Sequence, residues 1–315
     1  MTSTQTPLGS GFGADSTAAQ VPEGVDLHGR RALVTGGYSG IGIEGVRALD
    51  AAGAQVVVPA RRVDEAREAL ADVPDVQVVP LDLSDLQSVR AAAEGLAAQG
   101  DPFDIVIAGA GVMASPYQLV GDGWESQFAT NHLGHFALVN RLWPHLADGA
   151  RVVSVSSVGH HRSGIRWDDM WFAGGYDKWD AYGQSKTANA LFALELDRLG
   201  ADRGIHAYSL HPGGILTPLQ RHLPKQEQIA MGWIDEHGTP SDVFKTTEQG
   251  AATQIWAATS AKLDDHGGVY CEDCDIAPMA DGEQRMGVKP WAHDPEQAQR
   301  LWQLSAELTG VDAFA

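Results

Sequence analysis

Tyr182 and Lys186 stand four residues apart in Tyr182-Gly183-Gln184-Ser185-Lys186, opening a run that continues TANALFALELDRL. On a helix that spacing puts both side chains on one face, one turn apart. A phenol with an ordinary pKa of about 10 is a poor base at neutral pH. An adjacent ammonium favours the phenolate, which lets the tyrosine exchange a proton with a carbonyl or alcohol oxygen. The bland alternative is a lysine stem lying along a packed tyrosine. Company argues against it: a polar strand end, Val155-Ser156-Ser157-Val158, and a glycine-rich turn earlier in the chain.

That turn is Thr35-Gly36-Gly37-Tyr38-Ser39-Gly40-Ile41-Gly42, between an apolar run and the amphipathic stretch IEGVRALDAAG. Glycines there let the backbone turn sharply and approach a pyrophosphate closely. The helix start behind them offers free N–H groups and the positive end of its dipole. The spacing is G-x-x-x-G-x-G, and its place after the first strand points to a dinucleotide. About 20 residues on, a protein selecting NAD usually carries an acid at the end of the second strand. This chain has Val58-Pro59-Ala60-Arg61-Arg62. Two guanidiniums suit a 2′-phosphate through bidentate, charge-assisted hydrogen bonds. As mere decoration of a helix start they would be electrostatically unwelcome. The expected cofactor is NADP(H) in preference to NAD(H).

The elements that must position these groups alternate along the chain. Apolar β-rich runs fall at 32–35, 55–59, 76–80, 104–108, 151–156 and 205–210, with helical stretches at 41–52, 64–72, 85–98, 185–199 and 247–259. Such alternation predicts an α/β fold, a single doubly wound, Rossmann-like parallel sheet with helices on both faces. Residues 1–24 lack apolar periodicity and read as a loose tail before one domain spanning 25–315. With 41 Asp+Glu against 22 Lys+Arg, the net charge of -19 disfavours nucleic acid and anionic membrane surfaces as partners. No apolar run is long enough for a membrane span, and the N-terminus has no secretory signal pattern. Cys271 and Cys274, the only two cysteines, read as structural thiols of a reduced, cytoplasmic chain. His132/His135 and His160/His161 lack a third ligand, so no metal is expected.

The chain resembles the short-chain dehydrogenase/reductase family, single-domain type. The resemblance rests on TGGYSGIG (35–42), ATNHLGHF (129–136), VVSVSS (152–157), YGQSK (182–186) and HPGGILTPL (211–219), and covers about residues 25 to 310. VSSVGHH, a long insert and YGQSKTANALFALEL look most like the retinol-dehydrogenase-like branch. The resemblance implies that Tyr182 is the general acid/base, Lys186 its pKa-lowering partner and ribose ligand, and Ser157 a hydrogen-bond donor to the reacting oxygen. Asn131 would hold a water linking Lys186 to solvent. Gly36, Ser39, Gly40, Ile41 and Gly42 would cradle the phosphates; Asp82 and Leu83 would contact adenine; Pro212, Gly213, Ile215 and Thr217 would orient the nicotinamide. One departure stands out. The family commonly has Asn-Asn-Ala-Gly after the fourth strand, where this chain has Ala108-Gly109-Ala110-Gly111. Ala110 and Gly111 keep their cofactor-lining role, but without the asparagines the loop must be braced differently.

Ligands of open α/β sheets bind beyond the carboxyl ends of the strands. Two aromatic-rich segments should flank that crevice: Trp167, Trp171, Phe172, Tyr176 and Trp179 before Tyr182, and Met231 and Trp233 in the irregular stretch after 216. They form either a pocket wall or a small satellite core. The expected activity is reversible hydride transfer between NADP(H) and an apolar or aromatic ketone or aldehyde and its alcohol. The same residues would serve reduction of an imine or a polarised C=C bond. A non-catalytic dinucleotide sensor would share the fold but has no need of the tyrosine set. A small-molecule substrate is the expected partner, and a homo-oligomer is compatible with the resemblance.

Overall fold

The computed structural model describes residues 4–282 and 284–315. Its centre is a sheet built from β1 (Arg31–Thr35), β2 (Gln55–Ala60), β3 (Gln77–Pro80), β4 (Phe103–Ala108), β5 (Leu146–Val155), β6 (His206–His211), β7 (Tyr270–Glu272) and β8 (Asp275–Ile276). The spatial order is β3-β2-β1-β4-β5-β6-β7-β8, parallel except for the antiparallel β7–β8 pair. The chain leaves β1 toward β2 and β3, then returns to add β4 on the other side of β1. This reversal opens a crevice at the strand ends.

The first six strands fall close to their expected positions: β1, β2, β4, β5 and β6 are largely buried on both faces, which demands apolar side chains, while β3, at the sheet edge, is half-buried. Helices α1 (Ile41–Ala51), α2 (Val63–Ala69) and α3 (Leu86–Ala97) link the first strands. Next comes a composite helix, α4, with an α-helical start at Ser126–Phe128, a π-helical turn at Ala129–Leu133 and an α-helical body at Gly134–Leu142. α5 (Lys178–Gly200), α6 (Lys225–Ala230), α7 (Thr247–Thr259) and α8 (Pro295–Thr309) complete the set. Val46 and Leu49 of α1 and Ile255 and Trp256 of α7 fill the core on one face of the sheet. Phe136, Leu142, Phe192 and Trp302, from α4, α5 and α8, fill the other.

Two expectations need correction. Residues 4–24 form no helix or strand, yet they are not loose. Gln5 donates to the carbonyls of Tyr270 (3.0 Å) and Ala277 (2.7 Å), Asp275 accepts the N–H of Leu8 at 2.7 Å, and Ala18 and Val21 are buried. The tie runs through single side chains and backbone groups, which leave no periodicity. The strand pair β7–β8 also escaped the sequence reading, being only three and two residues long. It carries Cys271 and Cys274, both unpaired and buried, where burial pushes the thiols' pKa up. Among the described residues no helix is long and apolar enough to cross a membrane.

Candidate active site

The carboxyl ends of β1, β4, β5 and β6 and the loops that follow them enclose a cleft of about 790 Å³. It is lined by Gly36, Ser39, Gly40, Ile41, Gly42, Arg61, Arg62, Asp82, Leu83, Ala110, Gly111, Ser157, Tyr182, Lys186, Pro212, Gly213, Ile215 and Thr217. Of the catalytic and cofactor-binding residues expected from sequence, Asn131 alone stands behind the wall.

The glycine-rich turn is built for close approach. Gly36 has φ +71°, and a Cβ on Gly42 would lie 2.1 Å from the Gly36 carbonyl oxygen. Gly40 caps α1 with φ 56° and contributes no side-chain hydrogen bond, so the first N–H groups of an eleven-residue helix face the cleft without a side-chain partner. Across the cleft, Arg61 and Arg62 are exposed at its rim, and Arg62 pairs with Glu65 at 2.8 Å in an equally exposed contact. An uncapped helix start and arginines at the end of β2 are the donors that a phosphorylated dinucleotide requires. The residues present fit that cofactor.

The loop after β4 shows how this chain manages without asparagines. The Thr35 hydroxyl accepts the N–H of Gly109 (3.0 Å) and of Ala110 (3.1 Å), and lies 2.8 Å from His135 Nε2. One hydroxyl at the end of β1 does the bracing.

Tyr182 does not open its helix. α5 starts a turn earlier at Lys178, capped by Asp177, which accepts from the N–H groups of Trp179 and Asp180. Tyr182 is therefore held inside regular helix, 5 % exposed. Lys186 Nζ lies 5.7 Å from the Tyr182 ring centroid and donates to the Val155 carbonyl at 2.8 Å. Ser157 follows the end of β5 and caps the next turn through Gly159 N–H at 3.0 Å. A Cβ on Gly159 would lie 2.8 Å from Tyr182 Cε1 and 3.4 Å from Ser157 Oγ, so glycine there leaves tyrosine and serine facing one space.

Protonation differs from the expectation of a tyrosine acidified by its lysine. Burial pushes Tyr182 up to about 12, with the Ser157 hydroxyl opposing, and pushes Lys186 down to about 7. Desolvation disfavours both charged forms, and it outweighs any help the lysine gives. The pair rests with the phenol protonated. Asn131 is fully buried in the π-helical turn; its amide bonds Val112 N–H (2.8 Å), Val112 C=O (2.9 Å) and Ser185 Oγ (2.9 Å). A Cβ on Gly111 would lie 3.1 Å from Asn131 Oδ1 and 3.8 Å from Lys186 Nζ, so the two approach the same point.

The aromatic segments divide. Trp179, Met231 and Trp233 line the cleft, with Trp179 and Trp233 edge to face at 5.9 Å. Trp167 and Trp171 pack instead with Phe128, Leu191 and Leu301 in a satellite core, and Phe172 is buried. The Tyr176 hydroxyl is tied to Ser115 C=O and Gln127. His132 is buried with Nε2 2.7 Å from Ser305 Oγ, and His160 supports the turn after β5 through Ser157 C=O at 2.7 Å. The sequence reading missed Phe244 and Arg221, and did not foresee that Thr35 and His135 meet. Phe244 and Arg221 carry no motif, and the role of Thr35 appears only once the family's asparagines are absent.

Comparison with known proteins agrees with the geometry. The family described as "short chain dehydrogenase" matches residues 30–228. A probable oxidoreductase of Streptomyces lividans is 46% identical over 296 residues, covering 90% of this chain and 98% of that protein. Retinol dehydrogenase 12 of Bos taurus is 38% identical over 295 residues, covering 91% and 88%. Among solved structures, an uncharacterized protein from Mycobacterium paratuberculosis superposes with a TM-score of 0.73 at 34% identity, covering 95% and 98%. The Pseudomonas aeruginosa RhlG/NADP active-site complex gives 0.60 at 27%, covering 78% and 94%. The fold and cleft define a nicotinamide-dinucleotide-dependent oxidoreductase. The chain belongs to the short-chain dehydrogenase/reductase family and has a retinol-dehydrogenase-like relative.

Proposed function

We propose that this protein is an NADP(H)-dependent reductase of apolar or aromatic ketones and aldehydes, working reversibly on the alcohols. The observation that carries the reading is the meeting of Tyr182, Ser157 and Lys186 with the phosphate turn, Arg61 and Arg62 in one cleft. The bound nicotinamide would supply or accept the hydride. The protein does the rest. Ser157 Oγ and Tyr182 Oη hold the carbonyl oxygen between them, and the protonated Tyr182 gives its proton to that oxygen as negative charge develops. Lys186, neighbouring the tyrosine and close to neutral in affinity for its proton, returns that proton, with Asn131 holding the water that reaches solvent. Asn131 also keeps Ser185 in place, and Ser185 Oγ donates to the Tyr182 carbonyl at 2.8 Å. Trp179, Met231, Trp233 and Phe244 give the substrate side an apolar lining. Arg61 and Arg62 support NADP(H) over NAD(H), as does the NADP held by a structural relative.

The test follows nicotinamide absorbance with a panel of aromatic, aliphatic and steroidal ketones and aldehydes. Tyr182→Phe is expected to bind NADPH normally and to lose turnover by at least about a hundredfold. A fully active variant would remove Tyr182 from the mechanism.

A further inference from the structure

The segment after β6 touches both ends of the cleft. Met231, Trp233 and Phe244 form part of the substrate-side wall. Near its start the segment lies on the phosphate turn: a Cβ on Gly40 would meet the Thr217 side chain at 3.1 Å. Thr217 and Gln220 form a capping box, with Leu219 N–H donating to Thr217 Oγ1 at 3.2 Å and Thr217 N–H to Gln220 Oε1 at 2.8 Å. Gln220 also donates to the Ile215 carbonyl at 2.8 Å. The 3-10 turn Pro218–His222 is thus pinned against the cofactor loop, and it carries Arg221.

Arg221 lines the same cleft as Arg61 and Arg62. Its guanidinium donates to the Pro218 carbonyl at 3.2 Å. Among the described residues neither Arg221 nor Arg61 forms an ion pair, while Arg62 pairs with Glu65 and meets the Tyr38 hydroxyl. Arg221 is held below its ordinary pKa by partial desolvation first, then by the charges of Arg61 and Arg62. The charges of Arg61 and Arg62 thus act on Arg221 within one cleft, and an anion lying among the three would relieve that repulsion.

We propose that Arg221 is a third arm of the 2′-phosphate site and fastens the segment after β6 across the cleft. This rests on the NADP(H) reading above. Arg61 and Arg62 stand at the end of β2, and Arg221 comes from the substrate side. Only a cofactor bearing the additional phosphate gives all three a shared partner. NADP(H) therefore favours the fastened segment and NAD(H) does not, since a ligand shifts an equilibrium only by its differential affinity. Cofactor choice and assembly of the Met231/Trp233/Phe244 wall become one event.

The experiment titrates intrinsic tryptophan fluorescence with NADPH, NADH and adenosine 2′,5′-bisphosphate. Arg221→Ala is expected to weaken NADPH and the bisphosphate by about tenfold, the scale of one charge-assisted contact, and to leave NADH within about twofold. Arg221→Lys should recover part of the loss. In parallel, chymotrypsin cleavage at Trp233 and Phe244 should be slowed more by NADPH than by NADH in the wild type, and equally by both in Arg221→Ala. Arg61→Ala separates the two possible failures. Selective loss of NADPH in Arg61→Ala but not in Arg221→Ala overturns the third arm and leaves the NADP(H) reading standing. Equal losses of NADPH and NADH in both variants overturn both.

Discussion

Thr35 Oγ1 and His135 Nε2 meet at 2.8 Å although 100 residues separate them in sequence. The other ring nitrogen, Nδ1, lies 2.9 Å from the Asn131 carbonyl, which can only accept. The ring is therefore assigned as the Nδ1–H tautomer, donating to Asn131 and accepting from the Thr35 hydroxyl. Burial agrees, pushing His135 down to about 4 and keeping it neutral. With Gly109 and Ala110 donating to the same hydroxyl, one chain of hydrogen bonds joins the end of β1, the loop after β4 and the π-helical turn of α4. Those three pieces carry the glycine-rich turn, the cleft wall at Gly109–Gly111 and Asn131.

Thr35→Val keeps the shape and removes the hydroxyl. Two N–H groups then lose their acceptor and His135 loses its donor, so the variant is expected to be destabilised by about 1–3 kcal/mol. Dinucleotide binding should weaken as well, because Ala110 and Gly111 line the cleft. Thr35→Ser keeps the hydroxyl and gives up one buried methyl, a loss of about 0.5–1.5 kcal/mol. Urea unfolding of the two variants decides the matter: equal stability would show that the hydroxyl is not the brace.

The contrast between Tyr182 and Arg221 shows what was legible beforehand. Tyr182, Lys186, Ser157 and the glycines announce themselves because their chemistry depends on fixed local spacing, one helical turn or one tight loop. The central strands β1, β2, β4, β5 and β6 are equally plain, since burial on both faces demands largely apolar runs. Arg221 and His135 act through partners 100 or more positions away, and the sequence holds no local trace of such a meeting. The docked segment 4–24 is hidden for the same reason: Gln5 finds Tyr270 across 265 positions. Protonation was misjudged because spacing reveals the neighbour of Tyr182 but not the depth of its burial.

Lys186 is 4 % exposed, and its pKa falls from 10.5 to about 7 on burial. Between those values the unfolded chain carries a proton at this site that the folded chain does not, so the native state gains stability as pH rises through that window. Below about 7 the folded protein bears the full cost of a buried ammonium. Lys186→Met should therefore be more stable than the wild type at pH 6.5, by on the order of 2–4 kcal/mol. The Val155 carbonyl keeps a donor in the variant, since Asn189 Nδ2 reaches it at 3.0 Å. The advantage should shrink by roughly 1 kcal/mol per pH unit toward pH 9. Urea unfolding at pH 6.5, 8 and 9 measures it; a variant less stable at pH 6.5, or a gap independent of pH, would contradict the assignment.

Acid should act on this fold through its buried imidazoles. His132, His160 and His211 are pushed from 6.5 down to about 3, and His135 to about 4, with burial the largest cause for each. Their contribution to stability is complete above 6.5 and is lost as pH falls toward the folded values, because only the unfolded chain takes up these protons. Glu272 works the other way. Burial raises it to about 7, so the folded chain binds its proton first. The net difference near pH 5.5 is roughly three protons, which corresponds to a slope of about 3–4 kcal/mol per pH unit. Stability from urea unfolding should therefore drop steeply from pH 6.5 to pH 5 while the native spectrum at pH 6.5 is unchanged. A flat profile across that interval would mean that the four rings are open to protons in the folded state, and that the neutral His135 linking Thr35 to Asn131 is wrongly assigned.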